Sequence, residues 1–170
     1  DLRRSRGLGD VYKRQPLAGR GQVLEVKLKA NNCNKIIHLI DESYNANPSS
    51  VKSSLETLAC IFTNKKGKGE YYRRIAVLGD MLELGFSEMQ EHVNISKFAR
   101  LDKIDKIYCV GSRMKKLFDV LPFYKRGYWT ETAEEMQHVL VNKLENGDII
   151  MIKGSFSMGM KTIVNKLKNI

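Results

Sequence analysis

Long apolar runs are absent from this 170-residue chain, and no stretch approaches the roughly 18 consecutive apolar residues that span a bilayer, so no membrane partner is expected. Cysteine is scarce as well. Cys33, Cys60 and Cys109 are odd in number, far apart and without a C-x-x-C pair, which supports neither a disulfide framework nor a zinc site and fits reduced, cytosolic thiols. His38, His92 and His138 lack i,i+4 partners and are expected to be structural rather than metal ligands. Both common phosphate-binding loops are missing. No G-x-x-x-x-G-K-[ST] occurs, because the only Gly-Lys pair, Gly67-Lys68, is followed by Gly69 where a hydroxyl is needed, and no G-x-G-x-x-G follows a candidate strand.

Acidic charge is in the minority, but the basic excess is not concentrated. The formal net charge is +10, and residues 16–170 keep 24 basic against 17 acidic side chains. Its carriers are mostly dispersed lysines, as in Lys65-Lys66-Gly67-Lys68 and from Lys161 to Lys168, without the interleaved aromatics that stack bases. A solvated surface is expected there, and no nucleic-acid partner.

What is present is an alternation of Ile/Val-rich runs with amphipathic segments. Candidate strands are Val23 to Lys29, Ile36 to Ile40, Ile75 to Leu78, Ile107 to Val110, Gly127 to Trp129 and Ile149 to Ile152. Between them, Val51, Leu55, Leu58, Ala59 and Phe62 form one helical stripe, with Pro48 suited to its first turn. Ser87 to Gln90 and Thr132 to Glu135 have the form of capping boxes. Ser112 is placed to cap a short helix that Pro122 ends, and Met160, Ile163, Val164 and Leu167 give a last helix its inward face. The expected fold is α/β: a Rossmann-like, three-layer domain with a mostly parallel sheet of about six strands flanked by helices. Asn64 to Tyr71 reads as its most mobile loop.

Polar residues gather where strands end: Asp41/Glu42, Gly79-Asp80, Gly111-Ser112 and Lys153-Gly154-Ser155. In an open parallel sheet, ligands bind beyond the carboxyl ends of the strands. The densest group is Asp41-Glu42-Ser43-Tyr44-Asn45-Ala46-Asn47-Pro48. It resembles the D-[DE]-S-Y-N-A-N-P signature of the Mur ligases. Three further segments fit that family in order: Gly19-Arg20, then Leu78 to Gly85 (LGDMLELG), then Lys153-Gly154-Ser155 with Ser157 to Met160.

The resemblance spans Pro16 to Ile170 and implies the C-terminal domain of a three-domain, ATP-dependent amide ligase. Its implied substrates are UDP-N-acetylmuramoyl-tripeptide and D-Ala-D-Ala, joined through an acyl phosphate with ATP and Mg2+ held mainly by a central domain, in a monomeric cytoplasmic enzyme. Lacking the phosphate loop, this chain is expected not to catalyse alone. By resemblance Arg20 reaches the ATP phosphates, and an acidic residue, Asp41 or Glu42, meets the nucleotide ribose; adjacent strand residues point to opposite faces, so only one can do so. Tyr44, Asn45, Asn47, Asp80, Lys153, Gly154 and Ser155 are the implied substrate-binding residues; no catalytic residue and no metal ligand is assigned. The residues alone leave plainer roles open. Arg20 fits a surface linker, Asn45 and Asn47 fit an Asx-turn and a helix cap, and Lys153 fits the solvated end of a strand. Phe156 departs from the family pattern, which has arginine or another polar residue there in many members. An acidic pair, an aspartate and a lysine at strand ends also mimic a phosphoacceptor receiver domain, and a non-catalytic nucleotide-binding module is a further alternative.

Ser5 to Gln15 resembles the translation of a transposase adapter used in sequencing libraries, so Asp1 to about Gln15 is set apart from the fold as adapter-derived or disordered. Residues 16–34 are then expected to form a linker and leading strand, and 35–170 the C-terminal domain.

Overall fold

The computed structural model of the protein describes residues 17–30, 33–61 and 72–170; Asp1 to Gln15, Phe62 and the Asn64 to Tyr71 loop lie outside them. Six strands form one sheet: β1 (Gln22–Ala30), β2 (Cys33–Glu42), β3 (Arg74–Gly79), β4 (Lys106–Val110), β5 (Arg126–Thr130) and β6 (Ile149–Lys153), in the order β1-β2-β6-β3-β4-β5. β1 runs antiparallel to β2, in register from Gln22 opposite Asp41 to Ala30 opposite Cys33. All other neighbours are parallel. A division at residue 34 therefore falls inside β2. The leading strand expected at Val23 to Lys29 is β1, and its Val26 and Leu28 share a core with Ile37 and Leu39 of β2.

Among the described residues five helices cover the two faces: α1 (Pro48–Cys60), α2 (Glu88–Asn94), α3 (Met114–Val120), α4 (Ala133–Lys143) and α5 (Lys161–Lys168). Strand alternation divides the core between them. Ala76 and Leu78 of β3 pack with Val51, Leu55 and Leu58 of α1 and Met114 and Leu117 of α3. Ile75 and Val77 face the opposite way, towards Met136 and Leu140 of α4 and Ile163, Val164 and Leu167 of α5. Every residue of β6 is buried, as a central strand covered on both faces requires. Each fully buried Leu or Ile contributes about 1.5–3 kcal/mol of transfer free energy, set against the entropy of ordering the chain.

Helix starts differ in who caps them. Asn47 caps α1: its side-chain oxygen accepts from Ser50 N at 2.8 Å, Ser50 Oγ accepts from Asn47 N at 3.0 Å, and Pro48 fills the first turn. Thr132 and Glu135 make the capping box of α4. The box expected at Ser87 does not form. A 3-10 turn over Gly85–Ser87 already gives Ser87 helical dihedrals, and its hydroxyl donates to Leu84 O at 3.2 Å. Nor does Ser112 cap α3. The Asp80 carboxylate does so from the end of β3, accepting from Met114 N at 2.7 Å and Arg113 N at 3.2 Å. An anion is favoured at that helix end by the exposed N–H groups.

Candidate functional site

The carboxyl ends of β2, β3 and β6 carry the signature residues, and three interactions shape this edge. First, β3 and β6 close tightly beyond their last pairs. A Cβ on Gly154 would stand 2.6 Å from Met160 Cγ and 3.0 Å from Gly79 Cα, so the missing side chain at Gly154 serves contact between the two chain segments. Second, Ser155 bridges two loops: its Oγ accepts from Leu82 N at 2.9 Å and lies 3.5 Å from Ala46 O. Third, His92 of α2 fixes the loop after β3. With its proton on Nδ1 it donates to Glu88 O at 2.6 Å, leaving Nε2 to accept from Met81 N at 2.9 Å.

Asp41 and Glu42 part company, as strand alternation demands. Asp41 is fully buried, and its carboxylate accepts from Ser43 Oγ at 2.6 Å, Ser43 N at 3.2 Å and Lys161 Nζ at 2.6 Å. Burial is the largest single influence and pushes this carboxyl up, but the bonds from Lys161 and Ser43 together outweigh it and hold the group below its ordinary 3.8. Glu42 stays about one quarter exposed and meets Lys153 Nζ at 3.4 Å.

Lys153 does not lie at a solvated strand end. It is 3% exposed, and its ammonium donates to Asn45 O at 3.0 Å as well as to Glu42. Desolvation pulls it below its ordinary 10.5, against the opposing pull of Glu42. An ammonium has three N–H bonds, and among the described residues two of them are met.

Above this pair sits the turn of Leu17 to Gly21, tied down by Gly21 N donating to Asp41 O at 2.8 Å and Tyr44 N donating to Gly19 O at 3.1 Å. It carries Arg20, whose guanidinium lies 4.3 Å over the Tyr44 ring. Asn45 turns its side-chain oxygen onto Ala46 N at 2.8 Å, and the Asn47 oxygen is committed to α1, so each offers its amide NH2 outward. The structure thus leaves Arg20, Tyr44, Asn45 and Asn47 exposed at this edge and Glu42 partly so, with Lys153 buried behind Glu42 and Asn45. It commits Asp41, Asp80, Gly154 and Ser155 to internal contacts. Asp80 is 2% exposed beneath Gly111, where a Cβ would come within 2.5 Å of its carboxylate.

The sequence reading missed Lys161 and Arg113. Lys161 opens α5, where a cation opposes the helix dipole, and that mismatch signals a specific carboxylate partner. Arg113 pairs with Glu88 at 2.5 Å and reaches Asp80 at 3.6 Å, tying α2 to α3. Nothing local in sequence marks that bond.

The family sequence profile described as "Mur ligase, glutamate ligase domain" matches residues 24–156, more than half of the chain. The chain belongs to the Mur ligase family. Among relatives of this Mur ligase domain are proteins named UDP-N-acetylmuramoyl-tripeptide–D-alanyl-D-alanine ligase. The one from Rickettsia prowazekii is 26% identical over 147 residues, covering 86% of this chain and 29% of the relative. That from Mycobacterium leprae is 30% identical over 162 residues, covering 89% and 31%. The chain therefore spans about a third of the length of the curated relatives it matches. Among solved structures, a MurF ligase from Thermotoga maritima in complex with ADP superposes with a TM-score of 0.70 at 21% identity, over 95% of this chain and 33% of that one, a likeness of fold. MurF from Acinetobacter baumannii gives 0.67 at 25% identity, over 96% and 34%. Among the described residues no helix is long and apolar enough to cross a membrane, and no three His, Cys, Asp or Glu side chains converge as a metal site.

Proposed function

We propose that this Mur ligase domain is the C-terminal part of the ATP-dependent ligase that adds D-Ala-D-Ala to UDP-N-acetylmuramoyl-tripeptide in peptidoglycan precursor synthesis. The observation that supports the reading best is the convergence of the ordered family segments on one sheet edge, where Arg20 lies over Tyr44 and Lys153 pairs with Glu42. Relatives that match over 86% and 89% of this chain carry that ligase's name.

The chemistry asks for little beyond positioning and charge. A tripeptide carboxylate is activated by transfer of the ATP γ-phosphoryl group, and the amine of D-Ala-D-Ala displaces phosphate from the acyl phosphate, leaving an amide. Arg20 suits the phosphate oxygens, since its planar fork keeps its charge and can bind bidentately. Lys153 places a second, poorly solvated positive charge near the same edge, where electrostatic stabilisation is strongest. Glu42, the accessible member of the acidic pair, accepts from the ribose hydroxyls. Asn45 and Asn47 offer amide donors to the dipeptide carboxylate. Magnesium, arriving with ATP, neutralises phosphate charge; we assign it no ligand in this domain. Closure of this domain over a central domain excludes water from the acyl phosphate. The cytoplasm supplies the nucleotide, and Cys60 and Cys109 are free thiols suited to that compartment.

A receiver reading is disfavoured, because the buried Asp80 carboxylate is occupied as the cap of α3 and has no open face for a phosphoryl donor. The test is to recover the coding sequence upstream of Pro16, express the complete protein and follow ADP release. Release that requires both tripeptide and D-Ala-D-Ala is expected; ADP release indifferent to the dipeptide overturns the reading. The 170-residue chain alone is expected to turn over no ATP.

A further inference from the structure

Arg20 is exposed, yet among the described residues no carboxylate pairs with it. What it meets is the face of Tyr44, 4.3 Å from the guanidinium carbon to the ring centroid, a contact that itself uses none of its N–H donors. The seat is specific. Gly19 has φ +80, and a Cβ there would stand 3.0 Å from Tyr44 Cβ, so only glycine lets the turn settle this close to the ring. Tyr44 in turn belongs to neither core cluster and is 47% exposed. Its lateral support is Phe156, whose ring meets it edge to face at a centroid distance of 6.0 Å and an interplanar angle of 62°. Phe156 is itself 75% exposed and lies outside both cores, so core packing does not explain a phenylalanine there.

We propose that Phe156 and Tyr44 are positioning residues for Arg20: Phe156 braces the Tyr44 ring, and the ring presents the guanidinium to the phosphates of the nucleotide. This rests on the proposed ligase reading for the identity of the anion, but the brace itself is a property of this chain. It makes Tyr44 a support for an arginine rather than a contact to the dipeptide. A polar side chain at residue 156 would leave the ring without its edge-to-face neighbour.

Two measurements test it. In the 170-residue chain, NMR of the Arg20 Cδ and Nε protons should show upfield ring-current shifts that Tyr44→Leu abolishes, Phe156→Ala reduces and Phe156→Tyr preserves. Arg20 shifts unchanged in Phe156→Ala would overturn the proposal. In the complete ligase, Tyr44→Leu should raise KM for ATP about 3-fold and Phe156→Ala about 2-fold, the scale of an exposed cation–π contact. KM for D-Ala-D-Ala should not change, and Phe156→Tyr should restore the ATP value. A raised KM for the dipeptide with ATP unaffected would make these residues substrate contacts and refute the brace. If the wild-type protein ligates nothing while the NMR result holds, the ligase reading fails and the brace stands.

Discussion

Replacing Lys161 with Met should be more damaging than removing the carboxylate it serves. Lys161 Nζ lies 2.6 Å from an Asp41 carboxylate that is fully buried, whereas the Lys161 side chain is 42% exposed. Lys161→Met strands a buried charge with only the two donors of Ser43, and breaking a buried pair in this way costs about 3–5 kcal/mol. Screening at the exposed lysine lowers the expected cost to about 2–3 kcal/mol. Asp41→Asn instead keeps the shape and lets the freed lysine hydrate, at a cost of about 1 kcal/mol. The double variant should therefore sit near Asp41→Asn, with a coupling of about 2–3 kcal/mol, the whole cost of the single lysine variant. Urea denaturation followed through the single Trp129 gives these values. The pH dependence fixes the cause. In the wild type the Asp41 carboxyl is held below 3.8, so its stabilisation is complete above that value and is lost as pH falls through the lower, folded-state pKa. Without Lys161 desolvation dominates, the carboxyl rises, and the penalty of Lys161→Met should shrink between pH 7 and pH 4.5. A penalty under 0.5 kcal/mol, on the order of an ordinary surface substitution, or one equal at both pH values, would refute the reasoning.

The other buried groups give further outcomes. Lys153→Met should leave the urea midpoint unchanged or raise it, because the desolvated ammonium goes and the partly exposed Glu42 rehydrates; a loss above about 1 kcal/mol would show that the pair is net stabilising. The same variant in the complete ligase should weaken ATP binding at least about 10-fold, on the scale of one charged hydrogen bond, by calorimetry. His92→Leu removes the acceptor of Met81 N and should cost about 1–3 kcal/mol, with faster amide exchange from Met81 to Leu84 as its signature. Asn47→Ala should cost about 1 kcal/mol through the lost α1 cap, without altering the fold seen by circular dichroism. Treatment with a small phosphodonor and magnesium should leave Asp80 unlabelled by mass spectrometry.

All six expected runs lie within observed strands; β3, β4 and β6 were legible because burial on both faces selects short apolar runs, whereas β5, with the sequence RGYWT, is only partly buried and is marked by its aromatic residues. Local chemistry also served at Asn47 and Thr132, whose partners are three residues away. It failed at Ser87 because a 3-10 turn over Gly85–Ser87 runs straight into α2 and gives the serine helical dihedrals, which a capping residue does not have. It failed at Ser112 because a carboxylate 33 residues earlier in the chain reaches α3 first. The Lys161 to Asp41 bond joins residues 120 positions apart, beyond any local pattern. Phe156 looked like a departure from a family position, and the structure gives it a neighbour, Tyr44, that periodicity could not supply.

Three charged side chains are buried at one edge of the sheet, and their hydrogen bonding separates two kinds of role. Asp80 has both carboxylate oxygens met by α3 and Arg113, and Asp41 has its oxygens met by Ser43 and Lys161. Such groups stabilise a particular joining of strand to loop or helix, and nothing is left on them for a ligand. Lys153 is different: among the described residues it meets one backbone carbonyl and one carboxylate at 3.4 Å, in a place where desolvation works against its charge. A buried charge with incomplete partners costs stability, and an anion bound beside it would complete the set. If the proposed ligase reading holds, Lys153 and Arg20 are the two cations on which its nucleotide-facing chemistry would centre, and Asp41 and Asp80 shape the edge on which they stand.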